Sequence, residues 1–345
     1  MMKVKKVGIV SLSQGLLGES FICHELELGL KRLRDKGCDV VFMPHAMKGL
    51  TYLKAHPEKR AEDLLTAFAD PSIDMILCAI GGDDTYRLLP YLFDRGELKQ
   101  AVRDTIFLGF SDTTINHLML HKVGLKTFYG QAFLPDVCEL SSQMLPYTAH
   151  YFDELITTGR IEVIRPAKYW YEEREDFSES GIGVDMANHP NEGFQLLRGA
   201  PVFSGEILGG CLDSIFTVFD NSRYPDTVTM IDRYQLFPTP EDWKGKILLL
   251  ETSEERPTPE CFRNMIQALE DFGIFDVISG LLVGKPQNET YFDAYKSVLL
   301  ETISNKKLSI VYNVNVGHST PRCIVPFGVM ADVNSTEQII RFNYS

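Results

Sequence analysis

The sequence predicts an α/β protein built from a parallel-sheet domain followed by a second, mixed domain. Three observations point there. The chain has 345 residues, and at roughly 150 residues per domain that is about two cores. Its first 130 residues alternate short, almost unbroken apolar runs with helical patterns, which is how strands covered on both faces by helices read. From about residue 194 short strands return around one clear helix. With 44% hydrophobic and 23% charged residues the composition is that of a folded globular chain, so disorder, collagen and coiled coil are excluded.

Taken in order, Val7–Val10 reads as a strand and Ser20–Lys36 as a helix closed by Gly37. Val40–Phe42 is a strand, Pro57–Ala69 a helix with Pro57 near its first turn, and Ile73–Ile80 a strand. That strand runs into Gly81-Gly82-Asp83-Asp84 and a helix through Leu92, before the strand Ile106–Phe110 and the helix Thr113–Lys122. The pattern dissolves from about residue 131, and the acidic run Glu172–Asp176 precedes a Gly/Asn/Pro-rich stretch to Gly193. In the second domain Phe194–Leu197, Ile207–Leu208, Ile247–Leu250, Leu281–Val283, Ile310–Asn313 and Gln338–Phe342 are strands, and Pro259–Phe272 is the helix. The expected division is 1–150, a linker and long loop over 151–193, and 194–345. Ligands of parallel sheets sit at the carboxyl ends of the strands, which directs attention to Ser11–Gly18, Gly81–Asp84 and Ser111–Thr113.

Charge and cysteines narrow the setting. Against 34 Lys and Arg stand 47 Asp and Glu, a net charge of −13. A phosphate-backbone binder needs a concentrated basic face, and the basic cluster Lys3, Lys5 and Lys6 spans only four residues at the N-terminus. A nucleic-acid polymer is therefore not an expected partner. The seven cysteines are scattered with no CxxC pair, as in a reduced cytoplasmic chain with neither a disulfide framework nor a zinc site. The run after Lys6 is too short for a signal peptide, and no apolar stretch approaches the ~18 residues of a membrane span. A cytoplasmic protein with no metal, no cofactor and no membrane partner is expected.

Three strand ends carry candidate chemistry. In Gly109-Phe110-Ser111-Asp112-Thr113 a strand meets a helix, a turn that exposes a serine hydroxyl beside the free N–H groups of a helix start. A plain helix cap by Ser111 or Asp112 fits the same residues, and Thr113 departs from the final glycine of the hydrolase pattern G-x-S-x-G. Glu251 ends the apolar run from Ile247, where a carboxylate is costly without a partner; a solvated strand end is the bland alternative. His318 follows Val316-Gly317 in a turn, where most histidines are merely exposed. Jointly Ser111, Glu251 and His318 form a nucleophile, an orienting acid and a base in chain order. Competing with them, Gly81-Gly82-Asp83-Asp84-Thr85 resembles the GGDGT phosphate loop of nucleotide kinases, with Asp84 placing a charge where phosphate would approach. Alternatively the glycine pair supplies a second oxyanion donor. His117 and His121 lack the glutamate of HExxH and read as helix-surface residues, while Gly209-Gly210 is either a close backbone approach to the site or a tight turn. An α/β-hydrolase esterase and a non-catalytic two-lobed binding protein are the other classes compatible with these residues.

Gly81-Gly82, Gly109-Phe110-Ser111-Asp112-Thr113, Gly209-Gly210, Leu250-Glu251 and Gly317-His318 with Pro326-Phe327-Gly328, in that order from Val7 to about Arg341, resemble the LD-carboxypeptidase family of serine peptidases. That family includes the microcin C immunity proteins. The resemblance implies a flavodoxin-like N-terminal domain, a swivelling β/α C-terminal domain and a homodimer. It implies Ser111 as nucleophile, His318 as base, Glu251 as orienter, and the amides of Gly82 and Asp112 as the oxyanion hole. Gly81, Asp83, Trp170, Phe177, Gly209 and Gly210 would bind substrate. One branch removes the terminal D-alanine of a murein tetrapeptide. The immunity branch carries an aromatic-bearing loop that covers the substrate, and cleaves the amide joining an aspartyl or related acyl group to a nucleotide moiety. The loop Trp170–Phe177 resembles the immunity branch, with Phe177 where that branch tends to have a second tryptophan. A small peptide or an aminoacyl-nucleotide is thus the expected partner.

Overall fold

The computed structural model describes residues 4–344, so Lys3 of the basic cluster lies outside the described residues. The chain divides into two units, Met1–Arg160 with Arg174–Met186, and Ile161–Glu173 with Ala187–Ser345.

In the first unit five strands, β1 (Lys6–Val10), β2 (Asp39–Phe42), β3 (Met75–Cys78), β4 (Ile106–Gly109) and β5 (Thr127–Tyr129), run parallel in the order β5-β4-β3-β1-β2. β3 and β4 are buried at every position, and that is why their sequences are unbroken apolar runs rather than alternating ones. The helix expected over Ser20–Lys36 is Cys23–Asp35, preceded by a separate turn at Ser20–Ile22. Glu19 is extended there and its carboxylate accepts the amide of Leu50, a remote partner that local periodicity does not reveal. Helix Pro57–Ala69 buries Ala61, Leu64, Ala67 and Phe68, and with them Arg60.

The second unit holds β6 (Val163–Ile164), β7 (Tyr169–Tyr171), β8 (Asn188–Pro190), β9 (Gln195–Arg198), β10 (Val202–Cys211), β11 (Ile247–Glu251), β12 (Gly280–Gly284), β13 (Ser309–Val314), β14 (Val325–Phe327), β15 (Met330–Asn334) and β16 (Ile339–Asn343). Eight of them form one mixed sheet in the order β6-β16-β15-β10-β11-β12-β13-β9, parallel from β10 to β13 and antiparallel toward both edges. Helix Pro259–Phe272 starts on Thr258, whose hydroxyl accepts the amide of Cys261. It buries Phe262, Met265, Ile266 and Leu269, one apolar stripe worth ~1.5–3 kcal/mol per side chain.

Segment 151–193, expected as linker and loop, is shared between the units. It contains the end of helix Pro146–Thr158, then β6, and the β7–β8 hairpin. The intervening stretch belongs to the first unit because Arg174 pairs with Glu139 at 2.7 Å and the amide of Gly183 donates to the Leu140 carbonyl. The charged run is thus tied down at Arg174. Among the described residues no helix is long and apolar enough to cross a membrane.

Candidate active site

β4 delivers Ser111 two residues past its last member, and Ser111 itself adopts φ 65°. A left-handed backbone at a non-glycine residue costs on the order of 1–3 kcal/mol and survives only where the surroundings enforce it. Here the hydroxyl of Thr113 donates to the Phe110 carbonyl at 2.7 Å and the Ser111 amide donates to the Tyr129 hydroxyl at 3.3 Å. Gly81 faces the serine so closely that a Cβ there would lie 2.6 Å from the Ser111 Oγ. Only glycine fits at that approach.

Behind this turn is a buried polar network. The Ser13 hydroxyl donates to the Asp112 carboxylate at 2.6 Å and accepts the amides of Asp83 (3.0 Å) and Asp84 (3.3 Å), so it ties the Gly81–Asp84 turn to the residue after the serine. The Thr85 amide also donates to Asp112, at 2.9 Å. Burial pushes the Asp112 carboxyl up to about 6, against the hydrogen bonds from Ser13 and Thr85. Arg60, fully buried, sits 2.5 Å from Asp84 and donates to the carbonyls of Leu12 and Ser13. The Asp84 carboxylate is thus engaged by a buried guanidinium and anchors the turn.

His117 is a correction. Expected on the helix surface, it is fully buried, with Nε2 3.1 Å from the Gly109 carbonyl and Nδ1 2.7 Å from the Thr127 hydroxyl. A carbonyl can only accept, so Nε2 carries the hydrogen and Nδ1 accepts from Thr127. Burial drives its pKa down to about 3, and the neutral ring braces the end of β4. His121 is half-buried.

In the second unit Glu251, last residue of β11, is buried and accepts from both the backbone amide (3.1 Å) and Nδ1 (2.8 Å) of His318. Gly317 has φ 81°, and a Cβ there would lie 2.2 Å from the Glu251 carboxylate, which explains the glycine before the histidine. The other ring nitrogen, Nε2, is 2.9 Å from the Glu254 carboxylate. Burial opposes charge on this imidazole, yet Glu251 and Glu254 outweigh it and raise the pKa to about 10. Glu254 in turn is held down to about 2 by its hydrogen bond to His318.

Gly209 and Gly210 lie within β10, opposite Leu249 and Leu250, and are no tight turn. Cys211, opposite Glu251, brings a thiol into the group: its Sγ, a Glu251 oxygen and a His318 nitrogen lie within 4.8 Å of one another. These three are of ligand type for a soft divalent metal, although the Glu251–His318 hydrogen bond already uses two of them. Trp170 is 8% exposed, stacked on His189 at 4.5 Å, with the Lys285 ammonium 5.2 Å from its ring centre. Phe177 is 52% exposed in the first unit, where its carbonyl is 2.9 Å from Nε2 of His24; Asp83 is exposed.

Ser111, Gly81, Gly82, Asp83 and Asp112 thus gather at two adjoining turns of the first unit, and Glu251 with His318 at one corner of the second. Sequence reading missed Ser13, Arg60, Cys211 and Glu254. Arg60 had a signal, an arginine on the apolar stripe of helix Pro57–Ala69; Ser13 fell within a loop already singled out.

The first unit thus holds a serine in a left-handed turn, and the second holds a buried carboxylate–imidazole pair. Residues 7–130 match the LD-carboxypeptidase N-terminal domain and residues 204–333 the LD-carboxypeptidase C-terminal domain. The chain belongs to this peptidase family, in its MccF-like branch. The crystal structure of an MccF-like protein from Streptococcus pneumoniae, in complex with AMP, is 60% identical over 99% of each chain with a TM-score of 0.98. Microcin C7 self-immunity protein MccF of Escherichia coli is 25% identical, over 87% of this chain and 83% of its own length. An MccF-like protein from Bacillus anthracis, 24% identical over 100% and 98% of the chains with a TM-score of 0.80, shares the fold. These relationships support a peptidase or amide-hydrolase role.

Proposed function

We propose that this protein is a serine-type carboxypeptidase or amide hydrolase that cleaves the amide joining an acyl or aminoacyl group to a nucleotide moiety. Ser111 is the nucleophile, His318 the general base and Glu251 the residue that orients it. One observation carries the reading: Glu251 accepts from Nδ1 of His318 at 2.8 Å in a buried setting, which fixes the tautomer whose Nε2 takes a proton. On the serine side, the left-handed turn beside Gly81 supports Oγ as the attacking atom.

In this mechanism Nε2 of His318 accepts the Ser111 proton as Oγ bonds to the amide carbon. The amides of Gly82 and Asp112 donate to the oxyanion, a contribution of about 3–4 kcal/mol for one such donor. His318 then returns the proton to the leaving nitrogen, and water attacks the acyl-enzyme by the same path in reverse. Glu251 holds the ring through Nδ1 and orients it for the transfer. The nucleotide part of the reading is supported by AMP in the complex of the Streptococcus pneumoniae relative. Removal of a terminal D-alanine from a murein tetrapeptide is the second reading, supported by the match to both LD-carboxypeptidase domains.

Purified protein should be assayed against aminoacyl-sulfamoyl adenosine and murein tetrapeptide in parallel. Ser111→Ala is expected to lower kcat by ~10³-fold or more while thermal unfolding is unchanged. Near-wild-type turnover by Ser111→Ala removes the serine mechanism, and D-alanine release without nucleotide release selects the second reading.

A further inference from the structure

Two neighbouring strands and one turn bring three ligand-type side chains to one point of the second unit. β10 ends on Cys211 and β11 on Glu251, opposite each other in the sheet, and His318 follows β13. Their Sγ, carboxylate oxygen and ring nitrogen lie within 4.8 Å of one another, the one such trio of His, Cys, Asp or Glu among the described residues. All three are buried. The proposed hydrolysis employs Glu251 and His318 and gives Cys211 no part. A buried cysteine is commonly a small apolar filler, but this one faces acids: Glu251 on the next strand and an Asp213 oxygen 3.9 Å from Sγ. Such a thiol stays protonated and is a poor nucleophile. What it suits is a cation.

The imidazole is held as a metal ligand would be. A ligating histidine ordinarily donates its second ring N–H to a carboxylate, which fixes the tautomer. Here Nδ1 faces Glu251 at 2.8 Å and Nε2 lies 2.9 Å from Glu254. Asp213, beside the thiol, is itself fastened by the Ser253 amide (3.0 Å) and hydroxyl (2.8 Å). A tetrahedral zinc ion with bonds of ~2.0–2.3 Å sets its ligand atoms roughly 3.3–3.7 Å apart. Nδ1 and the Glu251 oxygen would therefore open by about half an ångström, and Sγ would close by at most roughly 1.5 Å. Small side-chain rotations cover both movements. Thiolate and carboxylate together balance a divalent charge. A thiolate with an imidazole selects zinc or cadmium over magnesium and calcium, which take oxygen ligands.

We propose that Cys211, Glu251 and His318 form an inhibitory site for a soft divalent cation of the zinc class, bound through Sγ, a Glu251 oxygen and Nδ1. Glu254 on Nε2 is its outer carboxylate, and water completes the tetrahedron. The resting ring, held between two carboxylates, is the imidazolium. On binding, the S–H and Nδ1–H bonds break, both protons leave to solvent, and no electron is transferred. The bound ring keeps its hydrogen on Nε2 and has no lone pair there to take a proton. The binding site stands without the hydrolase reading, whereas the inhibition rests on it.

The test uses the full chain, freed of metal with a chelator. Calorimetry should find Zn²⁺ binding and no Mg²⁺ binding at this site, and Zn²⁺ should raise the melting temperature because only the folded state assembles the ligands. Cd²⁺ should produce the ultraviolet thiolate-to-cadmium absorption band. Cys211→Ser and Cys211→Ala should abolish that band and weaken Zn²⁺ by more than the ~10–100-fold that loss of an outer partner costs. Cys23→Ser with Cys261→Ser, which removes the two exposed thiols, should keep both signals, as should Ser111→Ala. Turnover of aminoacyl-sulfamoyl adenosine or murein tetrapeptide should fall in step with Zn²⁺ occupancy and return with the chelator. Zn²⁺ affinity unchanged in both Cys211 variants, or a Cd²⁺ band lost with the exposed thiols, overturns the site. Full turnover at saturating Zn²⁺ overturns the inhibition. Cys211-dependent Zn²⁺ binding by protein that cleaves neither substrate sinks the hydrolase reading and retains the site.

Discussion

The ion pair between Arg60 and Asp84 offers the sharpest test of how the serine turn is held. The Arg60 side chain is 0% and that of Asp84 7% exposed. The guanidinium is 2.5 Å from one Asp84 oxygen and 3.3 Å from the other, and it donates to the carbonyls of Leu12 (3.2 Å) and Ser13 (3.1 Å). Arg60→Met keeps most of the volume and removes the charge, leaving a buried carboxylate with Arg87 3.6 Å away as its remaining cationic neighbour. Breaking a buried pair from one side costs about 3–5 kcal/mol. For a unit of this size each kcal/mol moves the melting temperature by about 2–4 °C, so a fall of ~6–20 °C is expected by calorimetry. Arg60→Met with Asp84→Leu should recover part of the loss, because no unpaired charge then remains buried. A single-mutant shift below ~2 °C, or a double mutant no better than the sum of the singles, would falsify the view that this pair anchors the turn.

Two further outcomes follow from the same geometry. Glu251→Gln removes the carboxylate on Nδ1 of His318, so the imidazole pKa should drop from about 10 and kcat should fall by ~10³–10⁴-fold. NMR titration of His318 and pH–rate profiles check this. In wild type the raised pKa means that the stabilisation is fully present below the ordinary value of 6.5 and is lost as pH rises through about 10, and Glu251→Gln should flatten that loss. Asp112 is an acid raised from 3.8 to about 6. The folded state therefore binds the extra proton, and this contribution is present below 3.8 and lost as pH rises through about 6. The melting temperature of Asp112→Asn minus that of wild type should increase across this window; a difference flat from about pH 4 to pH 7 contradicts the shifted carboxyl.

Much of the fold was legible because β3, β4 and β11 are buried along their whole length, and complete burial writes itself into sequence as an apolar run. Glu251 was legible for the same reason: a carboxylate closing such a run needs a partner, and His318 is that partner at 2.8 Å. His117 was misread because spacing to His121 says nothing about which face of helix Thr114–Lys122 turns inward. Nearly the whole helix is buried, and the hydroxyl that satisfies His117 comes from β5. Cys211 lies 40 residues from Glu251 in sequence and beside it in the sheet, a proximity set by strand order alone.

Asp84 and Glu254 show the two ways a misplaced charge can be resolved. Read as a phosphate loop, Gly81-Gly82-Asp83-Asp84 is spoiled by its fourth residue, because a carboxylate repels an anion. With Arg60 buried against it, that carboxylate becomes the reason the turn stays in place while Gly81 crowds Ser111. Glu254 is the reverse case: an exposed acid after a strand carries no signal in sequence, and only its position 2.9 Å from Nε2 sets it against the proton transfer proposed for His318. A buried mismatch is neutralised by a fixed partner within the fold, whereas an exposed one can be released to solvent. Asp84 should therefore govern stability, while Glu254 should be replaceable at little cost in stability.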